Sequence, residues 1–311
     1  MSHSAIAPRA SHDAPTARAT AAPRLNAAVV GAGMLGLDLA ERLNASPLLS
    51  CKLVASRQSS ASALRRAAQL GCAVSTEGIT AVVRAGVDMV FDASSAEAHP
   101  AHWAALASAD VLLVDLTPSS GGSMLTPTVN AVRAESDRHL SLVSCGGQAV
   151  LPVLDAVARH CTRVEDVEVV TTVASASVGP ATRDNLDEYI ATTGYAVERL
   201  TGATRAKVMS TISPALPAPA FRAQITARAY GVQTRALGDA VEAAAAAVRH
   251  YAPGYQVSAL SVTDDLVRAT VTVTARAGQL PSYAGNVEII NAAAVTLAER
   301  YARSREVGHC G

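Results

Sequence analysis

The chain has few aromatic residues, with two Phe, one Trp and seven Tyr among 311. Its core must therefore be built from Ala, Val and Leu. It has no excess of charge, because 26 Lys plus Arg balance 26 Asp plus Glu. No basic stripe stands out, so nucleic acid and anionic membrane surfaces are not expected partners. No apolar run is long enough to span a bilayer, and the positive mean hydropathy comes from alanine. The five cysteines, Cys51, Cys72, Cys145, Cys161 and Cys310, form no CxxC pair and are odd in number. That argues against a disulfide framework or a zinc site, and free thiols in a cytoplasmic protein are the default expectation.

Half of the residues are apolar, enough for a large core and for two domains rather than one. Residues 1–24 are rich in Ala, Pro, Ser and Arg and read as a disordered tail; the same composition also fits a transit-like segment. From Leu25, short apolar runs alternate with helical stretches. "LNAAVVGAG", "KLVAS", "DMVFDAS", "VLLVDLT" and "LSLVSC" are strand candidates, with helices between some of them. This is the pattern of βαβ units on a parallel sheet. Beyond residue 150 the texture changes. "VEDVEVVTTVAS" predicts a long strand and "TRDNLDEYIATTGYAVERL" a long helix. Later strands alternate with period two, which fits a sheet with one solvated face. The fold class is therefore α/β: an N-terminal Rossmann domain over 25–150, then an α+β domain over 151–282. A last helix, over 283–311, is expected to return to the first domain.

"VVGAGMLG" at 29–36 carries G-x-G-x-x-G through Gly31, Gly33 and Gly36. It follows a strand and opens a helix, the context in which the motif binds a dinucleotide. The first Gly makes the turn, the second lets the backbone approach a pyrophosphate and the third lets helix pack on strand. Met34 and Leu35 open that helix and join the candidate cofactor residues. The end of the second strand separates NAD from NADP. It reads "VASRQSSASALRR", with Arg57 and Ser59 where an NAD enzyme carries Asp or Glu. A guanidinium and hydroxyls can hold a 2′-phosphate, so NADP is favoured over NAD.

Cys145 ends an apolar run and precedes two glycines and a helix-like segment. A buried core thiol is one reading. The other is a nucleophile: a helix N-terminus lowers a thiol pKa, and the backbone N–H groups of Gly146 and Gly147 offer donors to an oxyanion. His99 and His102 lie three apart in "AHPAHW", but Pro100 interrupts the spacing and no third ligand is evident, so no metal is expected.

"SCGGQAVLP" at 144–152 resembles the catalytic cysteine segment of acylating acetaldehyde dehydrogenases. "ASASVGPATRDNLDEYIATT" at 174–193, "ISPALPAPAFRA" at 212–223 and "YAGNVEIINAAA" at 283–294 resemble further segments of that family, in the same order. The resemblance runs from about Leu25 to Arg303. It implies a glyceraldehyde-3-phosphate-dehydrogenase-like pair of domains, the second used for dimerisation, and hence a homodimer. It also implies interconversion of an aldehyde, coenzyme A and NAD with acyl-CoA and reduced cofactor, with a class II aldolase as a partner in many members. By position, Cys145 matches the nucleophile and Asn185 an asparagine near the nicotinamide and the acyl group. A helix N-cap is the alternative role for Asn185. Asn286 matches a residue near the cofactor, and Gln148, which follows the Cys-Gly-Gly unit and fixes its geometry, is expected with Ser210 at the substrate pocket.

Three departures bear on function. Arg57 stands where the family carries Asp. Leu216 and Ala223 stand where it carries acidic residues, one of them near the cysteine; general-base work of that kind contributes ~10²–10⁴-fold. Ser210 takes the place of a bulky aliphatic beside the acyl chain, so a larger or more polar acyl group is expected. Two alternatives stay open. One is reduction of another thioester or an acyl phosphate, although no basic phosphate pocket is evident. The other is a repurposed NADP-binding homologue without the acylating activity.

Overall fold

The computed structural model describes residues 24–57, 60–119 and 121–308. The expected N-terminal tail (apart from Arg24), Ser59 and Cys310 lie outside the described residues. The first half runs β1 (Leu25–Val30), α1 (Met34–Ala45), β2 (Leu49–Ala55), α2 (Ala61–Gln69), β3 (Ala73–Ser75), α3 (Ile79–Ala85), β4 (Met89–Asp92), α4 (His99–Leu106) and β5 (Leu112–Asp115). It continues through β6 (Ser123–Met124), α5 (Pro127–Asn130), a 3₁₀ turn over Ala131–Glu135, β7 (His139–Ser141) and α6 (Cys145–Arg159). Seven parallel strands are ordered β3-β2-β1-β4-β5-β7-β6. Every residue of β4 and β5 is buried, because helices cover both faces of a parallel sheet.

The second half runs β8 (Arg163–Ala174), a 3₁₀ turn over Ser175–Ser177, α7 (Pro180–Asp184), α8 (Leu186–Thr201), β9 (Arg205–Ser213), β10 (Phe221–Tyr230), α9 (Thr234–Arg249), β11 (Tyr255–Thr263), β12 (Leu266–Val273) and α10 (Gly285–Gly308). Its five-stranded sheet is ordered β11-β12-β10-β8-β9. Only β8 and β9 pair parallel; the other pairs are antiparallel. Side chains of β10 alternate between buried and more exposed positions, so one face of this sheet is covered and the other is not. α6 packs among α8, α9, β8 and β10, and so joins the two cores.

α10 packs on α1, the helix that follows the glycine loop. Arg42 on α1 bridges Asp38 and Glu288, each at 2.7 Å, and Asn291 Nδ2 donates to Asp38 at 2.7 Å. Two elements differ from the pattern-based expectation. The helix expected over 182–200 is split at Asn185, whose φ of −115° and ψ of 37° are not helical. The strand expected to reach Cys145 stops at Ser141, because the chain turns sharply at Val143, where φ is +63°.

Candidate active site

The glycine loop is built by close approach. Gly31 has φ +107°, and a Cβ there would meet Ala93 O at 2.4 Å. A Cβ on Gly36 would meet Gly31 O at 2.0 Å, so only glycine lets α1 start this close to β1. Gly33 faces open space and is the N-cap of α1, with no side chain capping the helix and no acid in its first turn. Uncapped N–H groups beside open space form a cradle that fits a pyrophosphate. The cradle opens into a cleft of about 710 Å³ lined by Gly33, Met34, Ser60, Ser62, Arg66 and Gln279, among others. Leu35 gives its carbonyl to Asn291 Nδ2 at 2.9 Å, which fixes the loop from α10. Arg57 is exposed and its stem lies along Gly78 rather than in the lining of the cleft. Arg66 and Ser60 face the cleft instead, as cation and hydroxyl.

Cys145 is the first residue of α6 and is partly buried. Ser144 caps the helix, its Oγ accepting from Gly147 N at 2.9 Å and pairing with Thr193 Oγ1 at 2.7 Å. The N–H of Gly147 is therefore taken, contrary to the expectation that it stays free. The N–H groups of Cys145 and Gly146 are the ones that favour the thiolate. The expected low thiol pKa is also corrected. Burial pushes the Cys145 thiol up to about 11, and the Tyr189 hydroxyl and those two N–H groups only partly offset it. Gln148 is fully buried; its Nε2 donates to Leu125 O at 2.7 Å and Leu142 O at 2.8 Å. It therefore holds the turn before Cys145 and lies in the core, not on a pocket wall.

Tyr189, on α8, reaches back to the cysteine, with Cys145 Sγ 3.9 Å from its hydroxyl. A Cβ on Gly146 would lie 2.3 Å from that hydroxyl, so glycine at 146 is what admits the ring's polar end. Burial, with Cys145 alongside, keeps the Tyr189 phenol well above its ordinary pKa, and it stays protonated. Tyr189 donates to Thr171 Oγ1 at 3.5 Å, and Thr171 donates to Ser210 Oγ at 3.1 Å. Thr171 pairs in register with Ser210 on one side and Ala223 on the other. Ala223 is thus beside the site, whereas Leu216, at 90% exposure on the β9–β10 connection, is not. Sequence reasoning named Ser210 and Ala223 but missed Tyr189 and Thr171. The available signal was Tyr189 one helical turn after Asn185.

Asn185 does not cap α8 with its side chain. Its Oδ1 accepts from Ala96 N at 2.7 Å, tying α8 to the loop after β4. Asn286 Nδ2 donates to Ser177 O at 3.2 Å, while its buried Oδ1 has no protein partner among the described residues. That orphaned acceptor fits a ligand amide.

The strand ends of the first sheet carry a charge cluster that the sequence showed only in part. His99 and His102 both place Nδ1 on Asp92 Oδ2, at 2.9 and 2.8 Å. His99 Nδ1 lies 3.3 Å from Asp115 Oδ1, and His99 Nε2 lies 2.8 Å from His139 Nε2. Trp103 stacks on His139 with centroids 4.5 Å apart. Three ligand atoms do converge, but on His99 and not on the His99–His102 pair: His99, Asp115 and His139 each offer an atom within 4.8 Å of the others. Those atoms are already engaged. Asp115 also accepts from Thr117 and Ser119, which fixes a turn whose Pro118 carbonyl accepts from Thr192 on α8 at 3.1 Å. The cluster thus sets two loops against the helix that carries Tyr189.

Comparison with known proteins fits these features. The family model described as "Prokaryotic acetaldehyde dehydrogenase, dimerisation" matches residues 145–281, and "Semialdehyde dehydrogenase, NAD binding domain" matches 26–131. The acetaldehyde dehydrogenase of Streptomyces griseus subsp. griseus is 48% identical over 276 residues, covering 88% of this chain and 89% of that protein. The chain belongs to the acetaldehyde dehydrogenase family. Acetaldehyde dehydrogenase 2 of Salinispora arenicola is 39% identical, covering 88% and 95%, and the enzyme of Pectobacterium atrosepticum is 36% identical, covering 89% and 95%. Aspartate semialdehyde dehydrogenase II of Vibrio cholerae shares the fold, with a TM-score of 0.62 over 90% of this chain and 99% of that one, at 16% identity. This family member is an oxidoreductase with a nicotinamide-nucleotide domain. Among the described residues no helix is long and apolar enough to cross a membrane.

Proposed function

We propose that this chain is a CoA-acylating aldehyde dehydrogenase, working as an acyl-CoA reductase with NADPH or in the reverse direction, as a homodimer. The observation that carries this reading is Cys145, held at the start of α6 by the Ser144 cap and facing a buried tyrosine hydroxyl. Attack of the Cys145 sulfur on an acyl-CoA carbonyl expels the CoA thiolate and leaves a thioacyl enzyme. The nicotinamide, when bound, supplies or accepts the hydride. The N–H groups of Cys145 and Gly146 are the donors available to the developing oxyanion. The uncapped start of α1 would hold the pyrophosphate, and the Asn286 Oδ1 acceptor would take the carboxamide N–H₂.

NADP over NAD is supported by Arg66 and Ser60 on the lining of the cleft, with no carboxylate at the end of β2. Ser210, small and half-buried beside Thr171, supports an acyl group larger than acetyl. A class II aldolase as aldehyde donor rests on family resemblance.

The test follows nicotinamide absorbance with purified protein, NADPH or NADH, and acyl-CoAs of rising length. Oxidation of NADPH that depends on acyl-CoA is expected, with a thioacyl adduct that mass spectrometry finds on Cys145. Cys145→Ser should abolish both while still binding NADPH. NADPH binding without oxidation by any thioester would discard the acylating reaction.

A further inference from the structure

We propose that the hydroxyl chain Tyr189–Thr171–Ser210 carries the proton that Cys145 loses when its sulfur becomes the nucleophile, in place of a carboxylate base. The inference deepens the reading of Cys145 as nucleophile and rests on it.

Among the described residues, the Cys145 sulfur has one side-chain hydrogen-bond partner, the Tyr189 hydroxyl at 3.9 Å. The groups that face it from the packed elements are Tyr189 from α8, Thr171 from β8 behind that tyrosine, and the main-chain N–H groups at the start of α6. None of these is ionised. The position opposite Thr171 on β10, which could have held a base, is Ala223, a fully buried methyl. The donors run in one direction: Cys145 S–H to Tyr189, Tyr189 O–H to Thr171, and Thr171 O–H to Ser210 at 3.1 Å, shorter than its other acceptor, Met209 O at 3.4 Å. Burial is deepest at Tyr189 and Thr171, in the middle of the line, and both Cys145 and Ser210 at its ends are partly exposed. The chain therefore starts at the thiol and ends where solvent can reach.

The step balances as a concerted shift. The S–H bond breaks, and the electron pair stays on sulfur as the thiolate. Tyr189 gains that proton and passes its own to Thr171, Thr171 passes one to Ser210, and Ser210 releases one to a solvent base. No hydroxyl changes its net protonation. Run backwards, the chain returns a proton to the site when the adduct collapses. Tyr189 touches the reacting sulfur and is a catalytic residue; Thr171 and Ser210 act through it. Gly146 belongs to the same device, because any side chain at 146 would displace the tyrosine hydroxyl.

Tyr189→Phe and Thr171→Val test the proposal, with NADPH binding confirming that each variant is folded. The first readout is the pH profile of iodoacetamide labelling at Cys145, which needs no substrate. Tyr189→Phe should move it upward by about 1–2 pH units, the worth of a hydrogen bond to a charged group. Thr171→Val should leave it in place, because the thiol keeps its tyrosine. The second readout is the acylation burst with acyl-CoA. It should slow by ~10²-fold in both variants, and the solvent deuterium isotope effect should shrink in Thr171→Val. An unchanged labelling profile in Tyr189→Phe would overturn the proposal, as would an unaltered burst in either variant. If the parent chain gives no burst with any acyl-CoA, the proposed reaction fails. The labelling profile of Tyr189→Phe then decides alone whether Tyr189 serves the thiol.

Discussion

The two sheets meet the candidate active site with opposite chemistry. The parallel sheet ends in ionisable groups paired with one another, buried Asp92, Asp115, His99 and His102 with half-buried His139. The mixed sheet presents neutral hydroxyls, Thr171 and Ser210, under Tyr189 and Cys145. Charge serves to lock loops, since both strand-end turns are fixed by their carboxylates and reach across to α8. The Cys145 sulfur, the proposed nucleophile, is left among groups that carry no charge. A buried ion pair is stable only when complete, whereas a hydroxyl can donate and accept in turn.

Removing a charge should therefore damage the structure, and removing a hydroxyl should damage the chemistry. Asp92→Ala is expected to have the largest effect, a loss of about 3–5 kcal/mol of stability, because two imidazoles lose their shared carboxylate. Thermal unfolding measures it, and an unchanged Tm would break the contrast. Gly146→Ala should cost about 1–3 kcal/mol through overpacking against Tyr189. Its sharper signature is loss of the thioacyl adduct with NADPH binding retained.

A smaller effect concerns pH. Asp115 is pushed up to about 6, chiefly by burial, from an ordinary 3.8. Its contribution to stability is present below 3.8 and is lost as pH rises through about 6. His139 is pushed down to about 4 by burial and then by His99, so its contribution is lost as pH falls from 6.5 towards 4. Asp115→Asn removes only the first trend, and relative to the parent chain its stability should rise across that window, as denaturant titrations would show. Leu216→Ala should be nearly silent, within about 0.5 kcal/mol and with unchanged turnover, because the side chain is exposed and away from Cys145. A large loss of activity there would return the missing acid at 216 to the mechanism.

What the sequence disclosed was local. Gly31, Gly33 and Gly36 declare themselves because a tight turn and a helix start fall within six residues. Cys145 was legible for the same reason, with its cap and its glycines adjacent. Its high pKa was not, because burial comes from elements far along the chain. Tyr189 meets Cys145 across 44 positions, and Thr171 meets Ser210 across 39. No period or motif reports such pairs; only the register of β8 with β9 and the break at Asn185 bring them together. The histidine pair at 99 and 102 on α4 was visible, but its partners Asp92, Asp115 and His139 sit on three separate strands, β4, β5 and β7. Arg57 was the cation that the sequence offered for the cofactor, but the turn into α2 puts Ser60 and Arg66, not Arg57, on the lining of the cleft.

Val143 carries a consequence for anyone who engineers this protein for heat resistance. A β-branched residue at φ +63° costs of order 1–3 kcal/mol, and here the cost falls at the residue that aims α6. Gly147 stays bare because a Cβ there would meet the Val143 side chain at 2.7 Å, so the two positions are matched. A screen that rewards thermostability alone would favour glycine or asparagine at 143. Such winners would melt later and turn over more slowly, because the relaxed turn would no longer hold the thiol to one direction.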